Sequence, residues 1–536
     1  MFKLASQFDL PVQLRSSALI CLLGLAAIFA PKAQGKELKV GIVQRFGEEP
    51  TDEVTIASPP GDRLTITFGE QTLQTSRVKL EIAMQPLLAP LIRERLVLSN
   101  HATFESAENS AQRWQDRGIA VEVTQPGRWQ VWAKPEVYKT PLLRRWLLRS
   151  LEQQGYTKPT LQTKVLQRVP RASLIVDGEP RITHSLFRQQ IEIEAEENRI
   201  LVTQGEDDQT PRLYPGSLTL QPNAYGNYTL VNQVALSSYL RGVLPYEITS
   251  EAPQEAVEAQ AIIARTYALR NLRRFAADNY QLCANTHCQV YRGLSHTEKR
   301  TDRAIAATKG EVLTYNNELI DALYSSTTGG VTAYFRDIWN GEPHPYLQPV
   351  VDSPNPVWDL SQRSLAEEQA FRRFMDLKRG FNETGTSAFR WRRESSLEEL
   401  SEDLQKYFEK INHPLADFSR IVRMGVVKRS PSGRVLQFNV KTDEGMVSLY
   451  KTEVRSAFNP PLSTFFYLEP IYRDDQTLKG YAFVGGGFGH GVGLSQKGSY
   501  NLAQLGWSAQ QILEFYYPGT KIQLLEDESI VFYDGD

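Results

Sequence analysis

One carboxylate of this sequence, Glu247, stands in an unusually apolar setting. The segment VLPYEI places it after a proline and a tyrosine and before an isoleucine. Apolar surroundings disfavour the charged form of a carboxyl group and so raise its pKa. A carboxyl group that stays protonated near neutral pH has the property that a general acid needs. Two other carboxylates nearby, Glu251 and Glu255, are better explained as favourable charges at the start of the next helix.

Two cysteines lie close together in CANTHCQVY. Cys283 and Cys288 are the only cysteines outside the N-terminal apolar run, which contains Cys21. Two interpretations remain open. The pair can form a local disulfide in an oxidising compartment. The two thiolates and His287 can instead bind zinc, for which the sequence offers no obvious fourth ligand.

Two glycine-containing segments place polar side chains beside turns. YSSTTGGVT carries Ser325, Ser326 and Thr327 before its glycine pair, and GGGFGHGVGLSQ carries His490 and ends on Gln496. The second segment has a glycine spacing like that of dinucleotide-binding loops, but it lies far from any βαβ unit, which argues against that function. Its glycines would instead allow the backbone to approach a ligand closely.

The helix that must position Glu247 is rich in alanine. QEAVEAQAIIARTYALRNLRRF follows Pro253 and continues without a helix-breaking residue. Its small and apolar side chains occupy two neighbouring stripes, which predicts a buried helix. Gln260, Arg265 and Thr266 then need partners, because an unpaired buried polar group costs about 1–3 kcal/mol. We expect them to brace the loop that holds Glu247.

The remaining pattern predicts an α+β fold in two parts. Residues 36–170 form a β-rich N-terminal region, in which KELKVGIVQ and RLTITF alternate as half-buried strands do. Within it, the strand GRWQVWA, a helix that starts at Thr140 and Pro141, and the strand that follows resemble the small α+β SPOR module. Residues 171–536 form a mixed α/β domain around the alanine-rich helix, with a charged helical insertion near 360–414.

Composition and the N-terminus restrict the class of protein. The 536 residues are 41% hydrophobic and 23% charged, as in globular proteins with more than one core. The 60 basic and 62 acidic residues give a net charge of -2, which argues against nucleic acid as a partner. Residues 1–35 combine basic residues, an apolar run and small terminal residues, which predicts a secretory signal peptide; the run is short for a retained membrane anchor. We therefore expect the mature protein outside the cytoplasm.

Six segments, taken in order, resemble the SpoIID/LytB family. They are SSYLRGVLPYEI, APQEAVEAQAIIARTYAL, CQVYRG, ATKGEVLTYNNELIDALYSSTTGGVTAYFRDIW, PYLQPVVD and GGGFGHGVGLSQKGSYNLAQLGWSAQQILEFYYPGTKI. The match covers most of residues 210–350 and 415–525. The resemblance implies a peptidoglycan-directed protein of the cell envelope, located in the periplasm or cell wall. SpoIID-like members are lytic transglycosylases that act on glycan strands stripped of stem peptides, and LytB-like members are enhancers of a separate amidase.

The resemblance also implies a catalytic residue. The glutamate of the family's V-P-x-E segment corresponds to Glu247, although one residue separates the valine from the proline here. A lytic transglycosylase can work with a single carboxyl group, because the 6-hydroxyl of muramic acid attacks its own anomeric carbon and forms a 1,6-anhydro end. The alternative function is a non-catalytic enhancer of a cell-wall amidase, in which Glu247 only orders its loop.

Further expectations follow from the same resemblance. The expected substrate-binding residues are His490, Gln496, Ser325, Ser326, Thr327 and Tyr291. The expected partners are peptidoglycan glycan strands and, for an enhancer, an amidase. No organic cofactor is required. In some relatives the cysteines of this region join two histidines around zinc, but no histidine precedes Cys283 nearby.

Overall fold

The computed structural model describes residues 36–176, 179–183, 190–205, 208–249 and 251–532. The predicted signal peptide, residues 1–35, lies outside the described residues. Within the described ranges, no helix has the length and apolar character needed to cross a membrane.

The described chain contains both strands and helices throughout. The strands are β1 Glu37–Phe46, β2 Glu53–Ala57, β3 Leu64–Phe68, β4 Gln71–Thr75, β5 Arg77–His101, β6 Val121–Thr124, β7 Trp129–Ala133, β8 Thr160–Val176, β9 Glu179–Thr183, β10 Ile191–Ala195, β11 Arg199–Gln204, β12 Asp208–Pro215, β13 Ser217–Pro222, β14 Tyr228–Ala235, β15 Leu282–Cys283, β16 Glu311–Tyr315, β17 Glu318–Leu319, β18 Tyr324–Ser325, β19 Trp391–Ser396, β20 Ile421–Arg429, β21 Val435–Thr442, β22 Met446–Tyr450, β23 Phe466–Tyr472, β24 Leu478–Gly485, β25 Leu494–Ser495 and β26 Lys521–Leu524. The helices are α1 Phe104–Gln115, α2 Pro141–Gln153, α3 Leu236–Glu247, α4 Gln254–Arg270, α5 Lys299–Ala307, α6 Phe335–Ile338, α7 Glu368–Asp376, α8 Leu397–Ile411, α9 Glu453–Ala457, α10 Gln496–Gln504 and α11 Ala509–Tyr516.

Two large sheets dominate the first half of the chain. One has the strand order β15-β1-β14-β13-β10-β3-β4, and the other has the order β12-β11-β2-β5-β7-β6, with β8 also paired to β5. The predicted strands KELKVGIVQ and RLTITF are confirmed as β1 and β3, and β3 alternates buried and half-buried residues. Strand β1 pairs with β14, and β8 itself continues through residue 170. The two predicted parts of the chain therefore share their sheets.

The strand–helix–strand unit predicted near residue 140 is formed by β7, α2 and β8. Helix α2 begins at Pro141, and the side chain of Thr140 caps it by accepting a hydrogen bond from the Leu143 N–H at 3.2 Å. This start is the one that the Thr-Pro pair predicted. The resemblance of the unit to a SPOR module stays a prediction.

Helix α4 is buried along most of its length, as predicted. The expected role of its polar residues was wrong. The Arg265 guanidinium donates to the Glu311 carbonyl at 2.8 Å, and the Thr266 hydroxyl accepts from the Leu313 N–H at 2.9 Å. These side chains face strand β16 and therefore hold the strand, not the segment around Glu247. The amide atoms of Gln260 are buried and have no hydrogen-bond partner among the described residues.

The charged segment near 360–414 carries a buried aromatic face. Phe371, Phe374, Phe381 and Phe389 are each less than 5% exposed and form a core with Phe465. Its helix α8 starts with a capping box between Ser396 and Glu399. The segment is thus packed into the domain through its apolar residues, and one of its carboxylates, Glu383, is buried with them.

Candidate active site

A cavity of about 470 Å³ brings together five of the predicted site residues. Glu247, Ser325, Ser326, His490 and Gln496 all line it. Its walls come from the end of α3, from β18, from the segment around the two cysteines, from the glycine-rich segment after β24 and from the start of α1. Residues separated by more than 200 positions therefore form one site.

Glu247 is the last residue of helix α3, not part of a loop as predicted. Its Oε1 accepts a hydrogen bond from the Val290 N–H at 3.1 Å, and its carbonyl oxygen accepts from the Gln496 side-chain amide at 2.6 Å. Burial raises the pKa of the Glu247 carboxyl, while hydrogen bonds from Val290 and from Tyr324 lower it. The negative end of the α3 dipole further disfavours the ionised form.

A chain of hydrogen bonds leads from the core to Glu247. The Tyr239 hydroxyl donates to Gln289 Oε1 at 3.1 Å, the Gln289 amide donates to the Tyr324 hydroxyl at 3.3 Å, and Tyr324 bonds the Glu247 carboxyl. Both Tyr239 and Gln289 are fully buried. Because the Tyr324 oxygen accepts from Gln289, its own O–H is directed toward the Glu247 carboxyl. Sequence reasoning missed Gln289 and Tyr324, although both stand inside the segments CQVYRG and ALYSSTTGG that carried the resemblance.

A second carboxylate, Glu105, lines the same cavity. It forms an ion pair with the buried guanidinium of Arg274. Glu251 and Glu255, the alternatives to Glu247, do not line the cavity. Among the described lining residues, Glu247 is therefore the carboxyl group that has no cationic partner, which is the arrangement a single-acid mechanism needs.

The hydroxyl groups after β18 differ in what they face. Ser325 lines the cavity, and its buried Oγ has no hydrogen-bond partner in the described part of the chain. Ser326 lines the cavity as well. Thr327 does not: it is 1% exposed and pairs through its backbone with Phe488, so its predicted role in substrate binding was wrong. An unpartnered hydroxyl in a cavity wall, as at Ser325, is available to a polar ligand.

Tyr291 lies in the core and not in the cavity. Its ring packs against Tyr214 and Tyr239, and its hydroxyl donates to Asn232 Oδ1 at 2.8 Å. A β-carbon at Gly242 would lie 2.5 Å from the same ring, so the glycine makes room for it. The predicted sugar contact of Tyr291 was wrong, because the ring joins α3 to the sheets.

His490 is held neutral. Burial, together with the charges of Arg455 and Arg434, lowers its pKa to about 3. Its Nδ1 accepts the Val492 N–H at 3.0 Å, which leaves the other ring nitrogen as the donor, and the ring packs against Trp339 at 5.0 Å between centroids. The imidazole also hydrogen-bonds the backbone of Tyr324. His490 can therefore position Tyr324 in the cavity wall, but it cannot serve as a cationic acid.

The glycines of the two loops allow the loops to pack on each other. A β-carbon at Gly329 would lie 2.7 Å from the Gly486 backbone, and one at Gly487 would lie 2.8 Å from the Thr328 backbone. Both residues have positive φ angles, of 78° and 82°. The glycines were predicted to let the backbone approach a ligand closely. At these two positions they instead let the backbones of the two loops approach each other.

The charged segment supplies a buried acceptor that sequence reasoning missed. The Glu383 carboxylate accepts hydrogen bonds from the N–H and hydroxyl of Thr328, from the N–H groups of Gly329 and Gly330, and from the Ser495 hydroxyl. Asp352 lies beside it. Burial, and next the Glu383 charge, raise the pKa of Asp352 well above its usual range. Glu383 therefore ties the YSSTTGG loop to the start of α10, where Gln496 lies.

The two cysteines form a disulfide, Cys283–Cys288. It leaves neither thiolate available to the zinc site that was the alternative. Among the described residues, no cluster of three or more histidine, cysteine or acidic side chains could hold a metal ion. The disulfide closes the loop that carries His287 and Cys288 into the cavity wall.

Replacing both cysteines with serine should lower the free energy of unfolding by about 2 kcal/mol, the loop-entropy value for a ring this short. Urea unfolding of the double variant and of the wild type, each with and without reductant, measures the difference. Reductant should destabilise only the wild type. A wild type that is destabilised by a chelator and not by reductant would contradict the disulfide and favour zinc.

Comparisons with known proteins match segments that include part of the cavity lining, Glu247 and His490 among them. Residues 224–315 match the family described as Stage II sporulation protein, and residues 333–493 match a Domain of unknown function (DUF8618). The chain is 31% identical over 299 residues to a protein named Amidase enhancer of Bacillus subtilis, across 53% of this chain and 40% of that relative. It is 26% identical over 310 residues to Stage II sporulation protein D of the same organism, across 54% of this chain and 75% of the relative. The chain is also 27% identical over 318 residues to an uncharacterized protein of Brachyspira hyodysenteriae, across 58% of this chain and 72% of that relative.

Proposed function

Because the chain belongs to the SpoIID/LytB family, we propose that it is a lytic transglycosylase that cleaves peptidoglycan glycan strands. The chain spans only 40% of the length of the amidase enhancer, so activity, substrate and partner all belong to the proposal. A location outside the cytoplasm, predicted from residues 1–35, is part of it too.

The observation that carries the proposal is the environment of Glu247. The carboxyl group lies in a cavity wall, burial raises its pKa, and Glu105 in the same wall is neutralised by Arg274. A glycosidase that uses water needs two carboxyl groups that are both free to react. A lytic transglycosylase needs one, because the substrate supplies its own nucleophile. The site is therefore better suited to the second reaction.

The proposed reaction moves one proton out of Glu247 and one back. The protonated carboxyl group donates to the glycosidic oxygen, and the bond between that oxygen and the muramic acid anomeric carbon breaks. The 6-hydroxyl of the same sugar bonds to that carbon, and the Glu247 carboxylate takes the hydroxyl proton. The products are a free hydroxyl on one fragment and a 1,6-anhydromuramic end on the other. Val290 N–H and the Tyr324 hydroxyl stabilise the carboxylate between the two transfers.

Some side chains of the cavity are suited to holding the sugar rather than reacting with it. Ser325 offers a buried hydroxyl without a partner, and Ser326 lies beside it. The side-chain amide of Gln496 donates a hydrogen bond to the Glu247 carbonyl, so Gln496 positions the acid instead of binding substrate directly. His490 similarly acts on Tyr324.

A second function, enhancement of a cell-wall amidase, is favoured by the relative named Amidase enhancer. In that case the cavity would bind glycan without cleaving it, and the protein would position the amidase. Incubating purified protein alone with glycan strands separates the two functions, because an enhancer produces no shorter strands by itself.

Tyr324→Phe should move the basic limb of the pH–activity profile to higher pH. The Tyr324 hydroxyl stabilises the Glu247 carboxylate and so lowers its pKa. Without it the carboxyl group stays protonated to a higher pH, and the acid step persists further into the alkaline range. Cleavage rates at limiting substrate, measured across a range of pH, give the midpoint of the basic limb.

Tyr481→Phe is the matched control, because it removes a buried hydroxyl that accepts from the Met424 N–H outside the cavity. The control should leave the limb where it is in the wild type. A limb that moves to lower pH in Tyr324→Phe, or that does not move, would mean that Glu247 is not the titrating acid.

A further inference from the structure

A second cavity, of about 520 Å³, is lined by five basic side chains and one carboxylate. The basic residues are Arg45, Arg93, Arg95, Lys164 and Arg168, and the carboxylate is Glu48. The cavity lies between the paired strands β5 and β8 and the turn that connects β13 to β14. A chain with a net charge of -2 has thus concentrated positive charge in one place.

The basic side chains of β5 and β8 share one face of the strand pair. Arg93 and Arg95 are two residues apart on β5, and Lys164 is the direct cross-strand partner of Arg93. Side chains at this spacing point to the same side of a sheet, and like charges that face each other across strands are destabilising. The fold therefore maintains a repulsive arrangement at this face.

The repulsion is not relieved by direct ion pairs. In the part of the chain that the structure describes, Arg93, Arg95, Lys164 and Arg168 form no ion pair. Burial and the charge of Arg95 lower the pKa of Arg93.

Carboxylates do approach from other elements. Glu48 lies 4.0 Å from Arg45, and the charges of Glu122 and Glu136 act on Arg95. Burial and Glu136 raise the pKa of Glu122 to about 7, so it is only partly ionised at neutral pH. The positive charge of the cavity therefore exceeds the negative charge around it.

The two arginines are held in place by the protein backbone. Arg93 donates to the Tyr225 carbonyl, and Arg95 donates to the Ala224 carbonyl at 3.2 Å. Gly226 makes room for the Arg93 guanidinium, since a β-carbon there would lie 2.1 Å from it. The Arg95 guanidinium also lies 5.3 Å from the Trp132 ring, and its buried Nε has no hydrogen-bond partner among the residues that the structure describes. Guanidinium groups fixed in this way keep N–H donors free for a planar oxyanion.

We propose that this cavity is a second binding site, separate from the Glu247 cavity, for carboxylate groups carried along the glycan strand. The assignment of the ligand rests on the proposed function, because removing a stem peptide at its amide bond leaves a carboxylate on each muramic acid. Strand β5 runs from one cavity to the other: Arg95 lies on it, and Ala102, which lines the Glu247 cavity, directly follows its last residue. The two residues are seven positions apart, or roughly 23 Å along an extended chain. A glycan strand of a few disaccharide units is long enough to span that distance.

Binding of fluorescently labelled, peptide-free glycan oligosaccharides to the full chain tests the proposal. Glu247→Gln serves as the background so that the ligand is not consumed. In that background, Arg93→Gln with Arg95→Gln should weaken binding by at least about tenfold, because the change removes charge-assisted hydrogen bonds to the ligand. Oligosaccharides whose carboxyl groups have been reduced to alcohols should bind the unaltered cavity equally weakly.

The control is Lys378→Gln with Arg379→Gln, which removes the same charge from an exposed segment outside both cavities. It should bind as the background does. Unchanged binding by the Arg93 and Arg95 variant, or equal binding of the reduced oligosaccharide, would overturn the proposal. Displacement of the glycan by inorganic pyrophosphate at far lower concentrations than by the unlabelled glycan would overturn the carboxylate assignment in favour of a phosphate-bearing ligand.

Cleavage is measured separately, in chains that keep Glu247. Binding that depends on Arg93 and Arg95 in a protein that cleaves nothing would refute the proposed enzyme and leave this binding site standing. Cleavage by a protein whose glycan binding does not depend on Arg93 and Arg95 would refute this binding site and leave the proposed enzyme standing.

Discussion

Glu247→Gln is expected to reduce glycan cleavage by at least about 10²-fold while the protein stays folded. Glutamine has nearly the shape of the protonated acid and can accept from the Val290 N–H, but it has no proton to donate to the glycosidic oxygen. Chromatographic analysis of glycan strands after incubation with each protein measures the loss.

The same substitution should not destabilise the fold. Burial raises the pKa of Glu247 in the folded state above its value in the unfolded chain. The free energy of unfolding therefore falls as pH rises from the unfolded-state pKa through the folded-state pKa. The neutral glutamine removes this cost, and the variant should unfold at an equal or higher urea concentration at neutral pH. Glu251→Gln, a change of an exposed carboxylate outside the cavity, is the control for activity and should cleave as the wild type does. Full activity in Glu247→Gln would place the acid elsewhere.

Glu383→Leu is expected to lower the free energy of unfolding by about 3 kcal/mol or more. The change removes the Glu383 acceptor from five buried donors, of Thr328, Gly329, Gly330 and Ser495. The Thr328 hydroxyl and the Gly330 N–H each keep one other acceptor, and the remaining three donors lose the acceptor described here. An unsatisfied buried donor costs about 1–3 kcal/mol, and the surrounding loops can relieve only part of that sum. Urea unfolding followed by circular dichroism gives the difference from wild type.

Two matched variants test whether the acceptor role is the cause. Glu383→Gln keeps one oxygen but turns an N–H₂ group toward backbone donors, so it should lie between wild type and Glu383→Leu. Asp352→Asn should be far milder, because burial and the Glu383 charge raise the pKa of Asp352 and so favour its neutral form, whose shape asparagine shares. If Glu383→Leu were no less stable than Asp352→Asn, the bonds to the YSSTTGG loop would not be what stabilises this region.

Features that depend on neighbouring residues were predictable. Glu247 has its apolar setting within the segment VLPYEI, the alanine content of α4 predicts close packing, and Thr140 with Pro141 predicts a helix start. Each of these follows from residues within one or two helical turns of each other.

Features that depend on distant residues were not predictable in this way. Glu383 lies in a charged segment whose local pattern is that of a solvated helix, and only the fold brings it within hydrogen-bond distance of Thr328 and Ser495. Tyr291 and Gln289 stand two positions apart, yet one fills the core and the other connects to the acid through Tyr324. The sequence identifies both as residues of one motif, and side-chain direction separates their roles. Arg93 and Lys164 are likewise ordinary surface cations until β5 and β8 pair.

The most direct test of the proposed function is the chemical identity of the glycan ends after incubation. Peptide-free strands are treated with the purified protein or with Glu247→Gln, and the products are analysed by mass spectrometry. We predict fragments that end in 1,6-anhydromuramic acid with the wild type and none with the variant. Intact strands with both proteins, together with faster release of stem peptides from whole peptidoglycan when an amidase is added, would contradict the transglycosylase and establish an enhancer.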